Sequence, residues 1–404
     1  MTLLKMAWRN LWRNQRRTIA TTGALTLTLL VSALYLSMIE GYMANMLSDS
    51  LDYELGAAQI FASGYQRKPS LYTSMEDSAQ LVARLEKAGL PAAERLLGAG
   101  LAAAGDSSSG VQLLGVDVAR EANVLTIHKQ LQMGQWLDEQ DPKGVVLGRK
   151  LANTLGVKVG QELVALSQAA DGAVANDIYH VRGVLRGVGE MTDRAGFFMT
   201  APAFRELLSY QEGAHQILIK RQPSIPLATL HAIAQNAAGE HVAQTWRQLA
   251  PVLATLIDSS RGMIHFMLFI LYLMVGIVIS NAMLMAVFER IRELGLFKAI
   301  GLGPGSVLLL IYMESMMQVV IAIVIAAILC VPPLWYLVSV GISMQSIAGM
   351  SVMGIAMPSQ WQAIVEPQSF GWPIAMMIAV VSVAVLYPAA KAALIKPVEA
   401  MRHR

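Results

Sequence analysis

The chain has 404 residues, of which 55% are hydrophobic and 15% are charged. Soluble domains carry nearer ~25% charged residues, so this composition predicts membrane-spanning segments and excludes an intrinsically disordered chain. A single cysteine excludes a disulfide framework and a cysteine-based zinc cluster, and the formal net charge of +3 does not indicate a nucleic-acid partner.

The first 17 residues predict an amphipathic helix at a membrane surface. Leu4, Trp8 and Leu11 share one helical face, and the basic residues of the segment fall on the opposite side. Such a helix places tryptophan at headgroup depth and cations towards anionic lipid. The alternative is an ordinary basic flank of a membrane span, which would need no periodicity.

Four stretches are long and apolar enough to cross a bilayer, which takes about 20 residues with few charges. They are 19–39, 263–288, 306–338 and 370–390. Basic residues precede the first stretch, as in a secretory signal peptide, but its apolar run exceeds the ~7–15 residues of such a signal, which favours an uncleaved span. Its threonines and serines indicate either a helix that faces other helices or a cavity, or hydroxyls that bond their own backbone.

The positions of lysine and arginine predict the orientation, because basic flanks of short loops stay in the cytoplasm. They occupy the N-terminal segment, the 289–305 loop and the tail, whereas the 339–369 loop has none. Both termini and the 289–305 loop are therefore expected in the cytoplasm, and the long segment between the first two spans outside it.

That long segment alternates short apolar runs with helical patterns, which predicts an α+β domain. The apolar runs are 57–62, 111–118, 162–166, 179–185, 196–200 and 216–220, and the helical patterns are 78–88, 150–155, 202–209 and 227–237. Helical stripes at both edges of the segment predict stalk helices that run into the spans. The expected fold is membrane α-helical, with four transmembrane helices and a large α+β extracytoplasmic domain inserted between the first and second of them.

The predicted segments cover the whole chain. They are a cytoplasmic amphipathic helix at 1–17, the first span at 18–40, a periplasmic α+β domain with stalk helices at 41–261, the second span at 262–288, a cytoplasmic coupling loop at 289–305, the third span at 306–338, an extracytoplasmic loop at 339–369, the fourth span at 370–390 and a cytoplasmic tail at 391–404.

Motifs of catalysis and metal binding are missing from the sequence. There is no Gly-Lys dipeptide and hence no P-loop, no Gly-x-Ser-x-Gly elbow, and no ligand spacing among the seven histidines. No catalytic residue, metal or directly bound cofactor is expected. Glu314 is charged within the third span, so we expect it either to hydrogen-bond hydroxyls of the first span or to contact a proton or substrate head group in a cavity.

The 339–369 loop is rich in methionine and nearly free of charge. Met344, Met350, Met353 and Met357 lie in it, with Glu366 as its charged residue. Flexible thioethers suit a surface that meets acyl chains, although ordinary interfacial packing explains them equally well.

Five regions of the chain carry a family signature. They read WRNLWRN at 8–14, GVVLGRKLA at 144–152 followed by LGVKVGQ at 155–161, VRGV at 181–184, RIRELGLFKAIG at 290–301, and YPAAKAA at 387–393 followed by PVEA at 397–400. In this order they resemble the FtsX/MacB-type permease superfamily of ABC transporters, which includes the LolC/LolE lipoprotein-releasing permeases. One span, a large external domain and three further spans are also the order of segments in that family.

The resemblance implies a non-catalytic permease that pairs with an identical or different second protomer. Two copies of a separate ABC ATPase would bind ATP and magnesium, and their closure would reach the external domain through the stalk helices. The 289–305 loop resembles the coupling helix that docks on the ATPase. Its candidate contact residues are Glu289, Arg290, Arg292, Glu293, Leu294, Phe297, Lys298 and Gly301. Alanine at Glu293 and Phe297 is expected to uncouple ATP hydrolysis from transport.

The spacing of the signatures resembles the lipoprotein-releasing members more than MacB, which carries a fused ATPase. Release of lipoproteins from the inner membrane is therefore the expected activity. The segment 167–177 lacks the Pro- and Arg-bearing hook by which LolC-like subunits hold a periplasmic chaperone. A chaperone or adaptor, MacB-like efflux of drugs or peptides, and an FtsX-like regulator of a cell-wall hydrolase stay as alternatives.

A lipidated or hydrophobic substrate would need a cavity within the membrane, in contact with membrane lipid. The residues expected to line it are Thr26, Leu29, Ser32, Ala33, Leu36, Glu40, Met43, Met267, Ile270 and Glu314.

Overall fold

The computed structural model describes residues 2–211, 213–343, 351–352, 355–356 and 360–394. The chain folds as two compact units. The helical unit comprises Met1–Tyr42, Asp258–Ile342 and Trp361–Arg404, and the mixed unit comprises Met43–Ile257 and Ser343–Gln360.

Helices occur along the whole described chain. They are α1 (Thr2–Arg13), α2 (Gln15–Ser50), α3 (Ser78–Lys87), α4 (Val118–Val124), α5 (Arg149–Leu155), α6 (Glu190–Ala195), α7 (Ala201–Leu208), α8 (Leu227–Ala238), α9 (Trp246–Leu249), α10 (Pro251–Glu289), α11 (Ile291–Ala299), α12 (Pro304–Ser339) and α13 (Pro367–Leu394). A π-helical turn (Leu51–Leu55) follows α2, and a 3-10 turn (Ile127–Lys129) follows α4.

Four of these helices are long and apolar enough to cross a membrane, within the part of the chain that the structure describes. They are α2 (which continues into the π-helical turn), α10, α12 and α13, and they confirm the four predicted apolar segments as helices. The turn between α11 and α12 has a clear local cause: Gly301 takes a φ of 105°, and Pro304 opens α12 at the position where its missing N–H costs nothing.

Side chains from all four long helices form the apolar core of the helical unit. Leu25 of α2, Tyr272 of α10, Val307 of α12 and Met377 of α13 are each at most 1% exposed. Gly276 lets α10 approach α13 closely, since a Cβ there would lie 2.6 Å from Cγ1 of Val380.

The start of α13 and the segment before it are held against α2 through both backbone and side-chain atoms. The N–H of Ile364 donates to the carbonyl of Ser37 at 3.0 Å. A Cβ at Gly41 would lie 1.9 Å from the carbonyl oxygen of Gln362, so this approach requires glycine. The hydroxyl of Ser369 donates to the carboxylate of Glu40.

The mixed unit is built on strands β1 (Ala58–Phe61), β2 (Ala92–Ala104), β3 (Ser107–Val116), β4 (Leu131–Gly134), β5 (Gly144–Leu147), β6 (Glu162–Gln168), β7 (Val174–Leu185), β8 (Gly196–Thr200), β9 (Gln216–Ile219) and β10 (Val242–Thr245). Short strands β11 (Ile342–Ser343), β12 (Ser351–Val352), β13 (Ile355–Ala356) and β14 (Gln360–Trp361) follow α12.

Strands β1 to β10 form one sheet among the described residues, in the order β10-β1-β9-β2-β3-β8-β5-β7-β4, with β6 paired to β2 and β7. The pairs β3–β8 and β5–β7 are parallel and the others antiparallel. Together with α3 to α9, this mixed sheet confirms the predicted α+β class.

The sheet buries both of its faces. Neighbouring residues on a strand point to opposite faces, and Leu113 and Leu114 of β3 belong to two different apolar clusters. Helices α3 and α8 contribute to the cluster of Leu114, whereas α5 and α7 contribute to that of Leu113. Runs such as GVVL in β5 are therefore apolar at every position.

A buried histidine is fixed in one tautomer in the mixed unit. Nδ1 of His215 accepts from the backbone N–H of Leu97 at 3.1 Å, so Nε2 carries the proton and donates to the carbonyl of Leu71 at 2.9 Å. Burial lowers the pKa of His215 below its ordinary value, and the charge of Arg205 acts in the same direction. His215 is therefore built into the fold as a neutral group.

Candidate functional site

A buried ion cluster joins three separate parts of the helical unit. Glu314 of α12 lies 3.2 Å from Nη2 of Arg17 on α2 and 3.2 Å from Nη1 of Arg290, which stands between α10 and α11. The side chains of Arg17, Arg290 and Glu314 are 13%, 11% and 6% exposed. These three residues are called the ion cluster below.

Further hydrogen bonds extend the ion cluster to α1. Nη2 of Arg290 donates to the carbonyl of Asn10 at 3.0 Å. One turn beyond Glu314, the amide oxygen of Gln318 accepts from the hydroxyl of Thr21 at 3.3 Å. The loop after α10 is thus tied to α1, α2 and α12 at one place.

Two more ion pairs lie beside the ion cluster at the surface. Arg13 reaches Glu293 at 2.6 Å and Arg17 reaches Glu289 at 3.6 Å, and both glutamates are 47% exposed. A pair that is exposed on both sides, such as Arg13 with Glu293, contributes about 0–1 kcal/mol, whereas removing one partner of a buried pair costs about 3–5 kcal/mol. The buried members therefore dominate the energetics of this region.

Helix α11 has an inner and an outer side. On the inner side Leu294 is buried, Phe297 packs against the core, and Nζ of Lys298 donates to the carbonyl of Ala393 at 2.7 Å. On the outer side Leu296 and Ile300 are 53% and 76% exposed. Arg292, four residues before Leu296, is exposed on the same side.

The ATPase-contact candidates fall on both sides of this helix. Glu289, Arg290 and Glu293 form the ion pairs described above, and Leu294, Phe297 and Lys298 face inward. Arg292 and Gly301 are exposed. Leu296 and Ile300 face outward but were not predicted as contact residues. Their spacing of four and eight residues from Arg292, which places them on the same helical side, is visible in the sequence.

The substrate-cavity candidates do not form a single site. An apolar groove of about 460 Å³, called the α2–α12 groove, runs between those two helices, and Thr26 is the candidate that lines it. Leu29 and Ala33 line a small cavity of about 50 Å³ next to Cys330.

The other cavity candidates have different surroundings. Ser32 and Leu36 are buried, with the hydroxyl of Ser32 donating to the carbonyl of Thr28 at 2.7 Å, whereas Met267 and Ile270 are 56% and 39% exposed. Glu40 accepts from Ser369, Glu314 belongs to the ion cluster, and Met43 belongs to the mixed unit. The expected hydrogen bond from a first-span hydroxyl to Glu314 is not formed among the described residues: Glu314 pairs with Arg17 and Arg290, and the hydroxyl of Thr21 donates to Gln318, one turn away.

Within the described ranges, no group of three His, Cys, Asp or Glu side chains could hold a metal ion. The methionines of the 339–369 loop at 344, 350, 353 and 357, and the tail signature at 397–400, lie outside the described residues.

Two family models match this chain. Residues 265–397 match the FtsX-like permease C-terminal model, and residues 18–237 match the MacB-like periplasmic core domain model. The chain is therefore a permease of the ABC transporter class, a group whose membrane components are generally non-catalytic and work with an ATPase. It belongs to the FtsX/MacB-type permease superfamily, which confirms the resemblance seen in the sequence. With four long apolar helices among its described residues, it is an inner-membrane protein with a MacB-like periplasmic core domain.

Individual relatives match shorter parts. A stretch of 125 residues is 34% identical to the macrolide export ATP-binding/permease protein MacB of Chlorobaculum tepidum. It covers 31% of this chain and 16% of that protein, so the match spans about a sixth of the curated relative.

Two solved structures are similar at low identity. The periplasmic region of MacB from Actinobacillus actinomycetemcomitans aligns with 49% of this chain and 92% of its own length, at 13% identity and a TM-score of 0.34. The extracellular domain of the ABC-type transporter YknZ from Gram-positive bacteria aligns with 47% of this chain and 98% of its own, at 11% identity and a TM-score of 0.33.

Proposed function

We propose that this chain is the membrane subunit of an ABC exporter that moves a hydrophobic or lipidated substrate with energy from a separate ATPase. Membership of the FtsX/MacB-type superfamily carries this proposal. In the proposed topology both termini and the α10–α12 turn face the cytoplasm, and the mixed unit is inserted on the periplasmic side between the first and second spans. The distribution of lysine and arginine supports this orientation.

The proposed ATPase contact is the outer side of α11. Leu296 and Ile300 present exposed apolar surface outside the long helices, next to the exposed Arg292. Apolar anchors with a basic neighbour suit a protein partner. Arg290 directly precedes α11 and belongs to the ion cluster. A displacement of α11 by the ATPase would therefore be transmitted to α12 and α2 through the ion cluster.

This contact is tested by a charge on the outer side. We expect Leu296→Asp with Ile300→Asp to abolish co-purification of an ABC ATPase, recognised by its P-loop sequence, and to leave the chain folded in the membrane. Val365→Asp is the matched control, because Val365 is also an exposed apolar residue of the helical unit, at 53%. Unchanged ATPase binding in the double variant would remove the assignment to Leu296 and Ile300.

Glu293 and Phe297 are still proposed to couple the ATPase to transport, but through contacts inside the helical unit and not by binding the ATPase directly. Phe297→Ala removes a core contact of α11 and Glu293→Ala breaks the pair with Arg13. We expect these variants to keep the ATPase bound but to weaken the link between ATP hydrolysis and transport, which is measured as ATP hydrolysed per substrate moved.

Two substrate classes are proposed. The identity to a macrolide export protein favours efflux of amphipathic small molecules. The spacing of the sequence signatures supports the second class, lipoproteins extracted from the inner membrane. Pairing with a second permease protomer is part of both, and a periplasmic chaperone or adaptor would receive the substrate.

Deletion of the gene that encodes this chain distinguishes between the two substrate classes. Efflux predicts greater susceptibility to macrolides with normal lipoprotein localisation, and lipoprotein release predicts lipoproteins retained in the inner membrane. If both readouts stay normal and cell-wall hydrolysis changes instead, the chain is a regulator of the FtsX type and the export proposal is wrong.

A further inference from the structure

The α2–α12 groove has apolar walls from both helices. Ile321, Ile325 and Leu329 of α12 follow each other at one-turn spacing and form one wall. Ile19, Gly23 and Leu27 of α2 do the same on the other side. Nothing lies within 4 Å of the position that a Cβ of Gly23 would occupy, so this glycine leaves the groove open at its centre. A volume of about 460 Å³ is within the ~300–1,000 Å³ range of sites for small ligands.

Two buried hydroxyls, on threonines that line this groove, have no hydrogen-bond partner among the described residues. They are Oγ1 of Thr22 and Oγ1 of Thr26, on residues that are 6% and 7% exposed. A threonine in a helix ordinarily donates to a carbonyl one turn back, and Thr28 does so to Ala24 at 2.8 Å. The two unpaired hydroxyls stand one helical turn apart, about 6 Å along the axis. Both oxygens are themselves buried beside the groove, so a rotation about χ1 would turn each hydroxyl towards a ligand with two acceptor oxygens at a similar spacing.

Positive charge and tryptophan lie at the α1 end of the groove. Trp12 lines the groove and its ring packs edge-on against Trp8 at 5.8 Å. Arg16 is exposed and lies three residues before Ile19, so it is about one helical turn from a residue that lines the groove. Within the described part of the chain Arg16, Arg9 and Lys5 form no ion pair or side-chain hydrogen bond. This end therefore suits an anionic head group at the depth where tryptophan prefers to lie.

We propose that the α2–α12 groove binds one anionic phospholipid of the leaflet on the α1 side. Its phosphate would lie by Arg16 and Trp12, its ester carbonyls would accept from Thr22 and Thr26, and one acyl chain would lie along Ile321, Ile325 and Leu329. The lipid is distinct from the exported substrate, and the site requires only that the helical unit lies in a bilayer. Because α1 and α2 also bear residues of the ion cluster and its contacts, this lipid stabilises the same end of the unit.

The test uses the purified full chain in detergent with defined lipid added. We expect phosphatidylglycerol to raise the melting temperature more than phosphatidylcholine does, and native mass spectrometry to show one retained phosphatidylglycerol. The double variant Thr22→Val with Thr26→Val keeps the side-chain shape and is expected to lose most of this shift. Arg16→Gln is expected to remove the preference for the anionic lipid. Thr28→Val is the matched control, because the hydroxyl of Thr28 is already bonded within its own helix.

Several results would overturn the proposal. Equal stabilisation by both lipids, or full retention of the shift in the double threonine variant, would exclude the head group or the hydroxyls as determinants. Gly23→Leu fills the groove, and if it lowers dimer formation while lipid retention persists, a second copy of the chain occupies the groove instead. Melting temperatures without lipid show whether each variant is folded, and the near-isosteric threonine variant keeps the test valid if Gly23→Leu is unfolded. ATPase binding and transport are not measured, so this result is independent of the proposed export function.

Discussion

The carboxylate of Glu314 and the guanidinium of Arg290 form an ion pair at 3.2 Å, with side chains only 6% and 11% exposed. Arg290 ends the turn after α10 and Glu314 lies in the first half of α12, so this pair connects the start of α11 to the third long helix. Arg17 shares the same carboxylate from α2.

Loss of Glu314 is expected to destabilise the helical unit strongly. Glu314→Ala leaves two buried guanidinium groups without their shared carboxylate, which costs about 3–5 kcal/mol. Thermal unfolding in detergent measures this loss. Glu366→Ala is the control, since Glu366 is exposed and lies in the same unit. Equal melting temperatures for the two variants would contradict a structural role of the ion cluster.

The two arginines near the start of α2 are expected to differ. Arg17→Gln breaks a buried charged hydrogen bond, for which about 1.5–3 kcal/mol is typical. Arg13→Gln breaks the pair with Glu293, which is exposed on both sides, and should cost at most about 1 kcal/mol. Both variants are compared by unfolding at low and high salt. Only the small effect of Arg13→Gln should vanish at high salt, and the reverse order would be inconsistent with the burial of Arg17.

A methyl group at Gly276 is expected to separate α10 from α13. Its Cβ would meet Cγ1 of Val380 at 2.6 Å, and a β-branched side chain on a helix has little freedom to move away. Gly276→Ala should therefore lower the melting temperature, although alanine favours helix over glycine.

The same helix offers a control and a rescue for this prediction. Nothing lies near a Cβ at Gly262, so Gly262→Ala should be neutral or stabilising. Val380→Ala should restore much of the stability of the Gly276→Ala variant by removing the clash. A destabilised variant that Val380→Ala does not rescue would place the cause elsewhere.

Acid is expected to destabilise the mixed unit through His215. Its folded pKa is lowered mainly by burial, so the folded state disfavours the proton that the unfolded chain takes up below about 6.5. The contribution of neutral His215 to the free energy of unfolding is fully present above that pH. It is lost as the pH drops towards the folded pKa, by up to about 1.4 kcal/mol per pH unit. Denaturant unfolding at pH 8 and pH 5.5 measures the change. His215→Gln should show a smaller pH dependence, and an equal slope in both proteins would exclude His215 as its source.

The sequence patterns predicted much of the mixed unit but missed its longest strand. Periodicity located β1, β6, β8 and β9 to within about two residues of their observed ends, and it placed the starts of β3 and β7 about four and five residues too late. Strand β2, AAERLLGAGLAAA, went unrecognised because alanine and glycine disfavour strands in isolation. It forms because β3, β6 and β9 all pair with it, which is a tertiary effect. Glycine also has a role there, since a Cβ at Gly100 would lie 2.5 Å from the carbonyl of Leu166.

The candidate site was predicted less completely. A charged Glu314 in an apolar helix could be recognised as unusual, but its partners are 297 and 24 residues away in the chain. Arg17 counted only as one of several basic residues before the first span. Pairing over such distances follows from helix packing, which a local pattern does not encode. For the same reason, the sequence showed Thr22 and Thr26 only as members of a threonine-rich stretch and did not indicate that their hydroxyls lack partners.

The contact between α2 and the segment before α13 combines backbone atoms of Ser37, Ile364 and Gln362 with the packing of the Tyr42 ring on the Trp361 ring at 4.8 Å. Main-chain atoms are the same in every residue other than proline, so substitutions at the partly buried positions 362 and 364 should leave the backbone contacts intact. Position 41 is the exception, because any side chain there would displace the Gln362 carbonyl. A saturation library at positions 41, 362 and 364 should therefore tolerate broad variation at the last two and only glycine at the first.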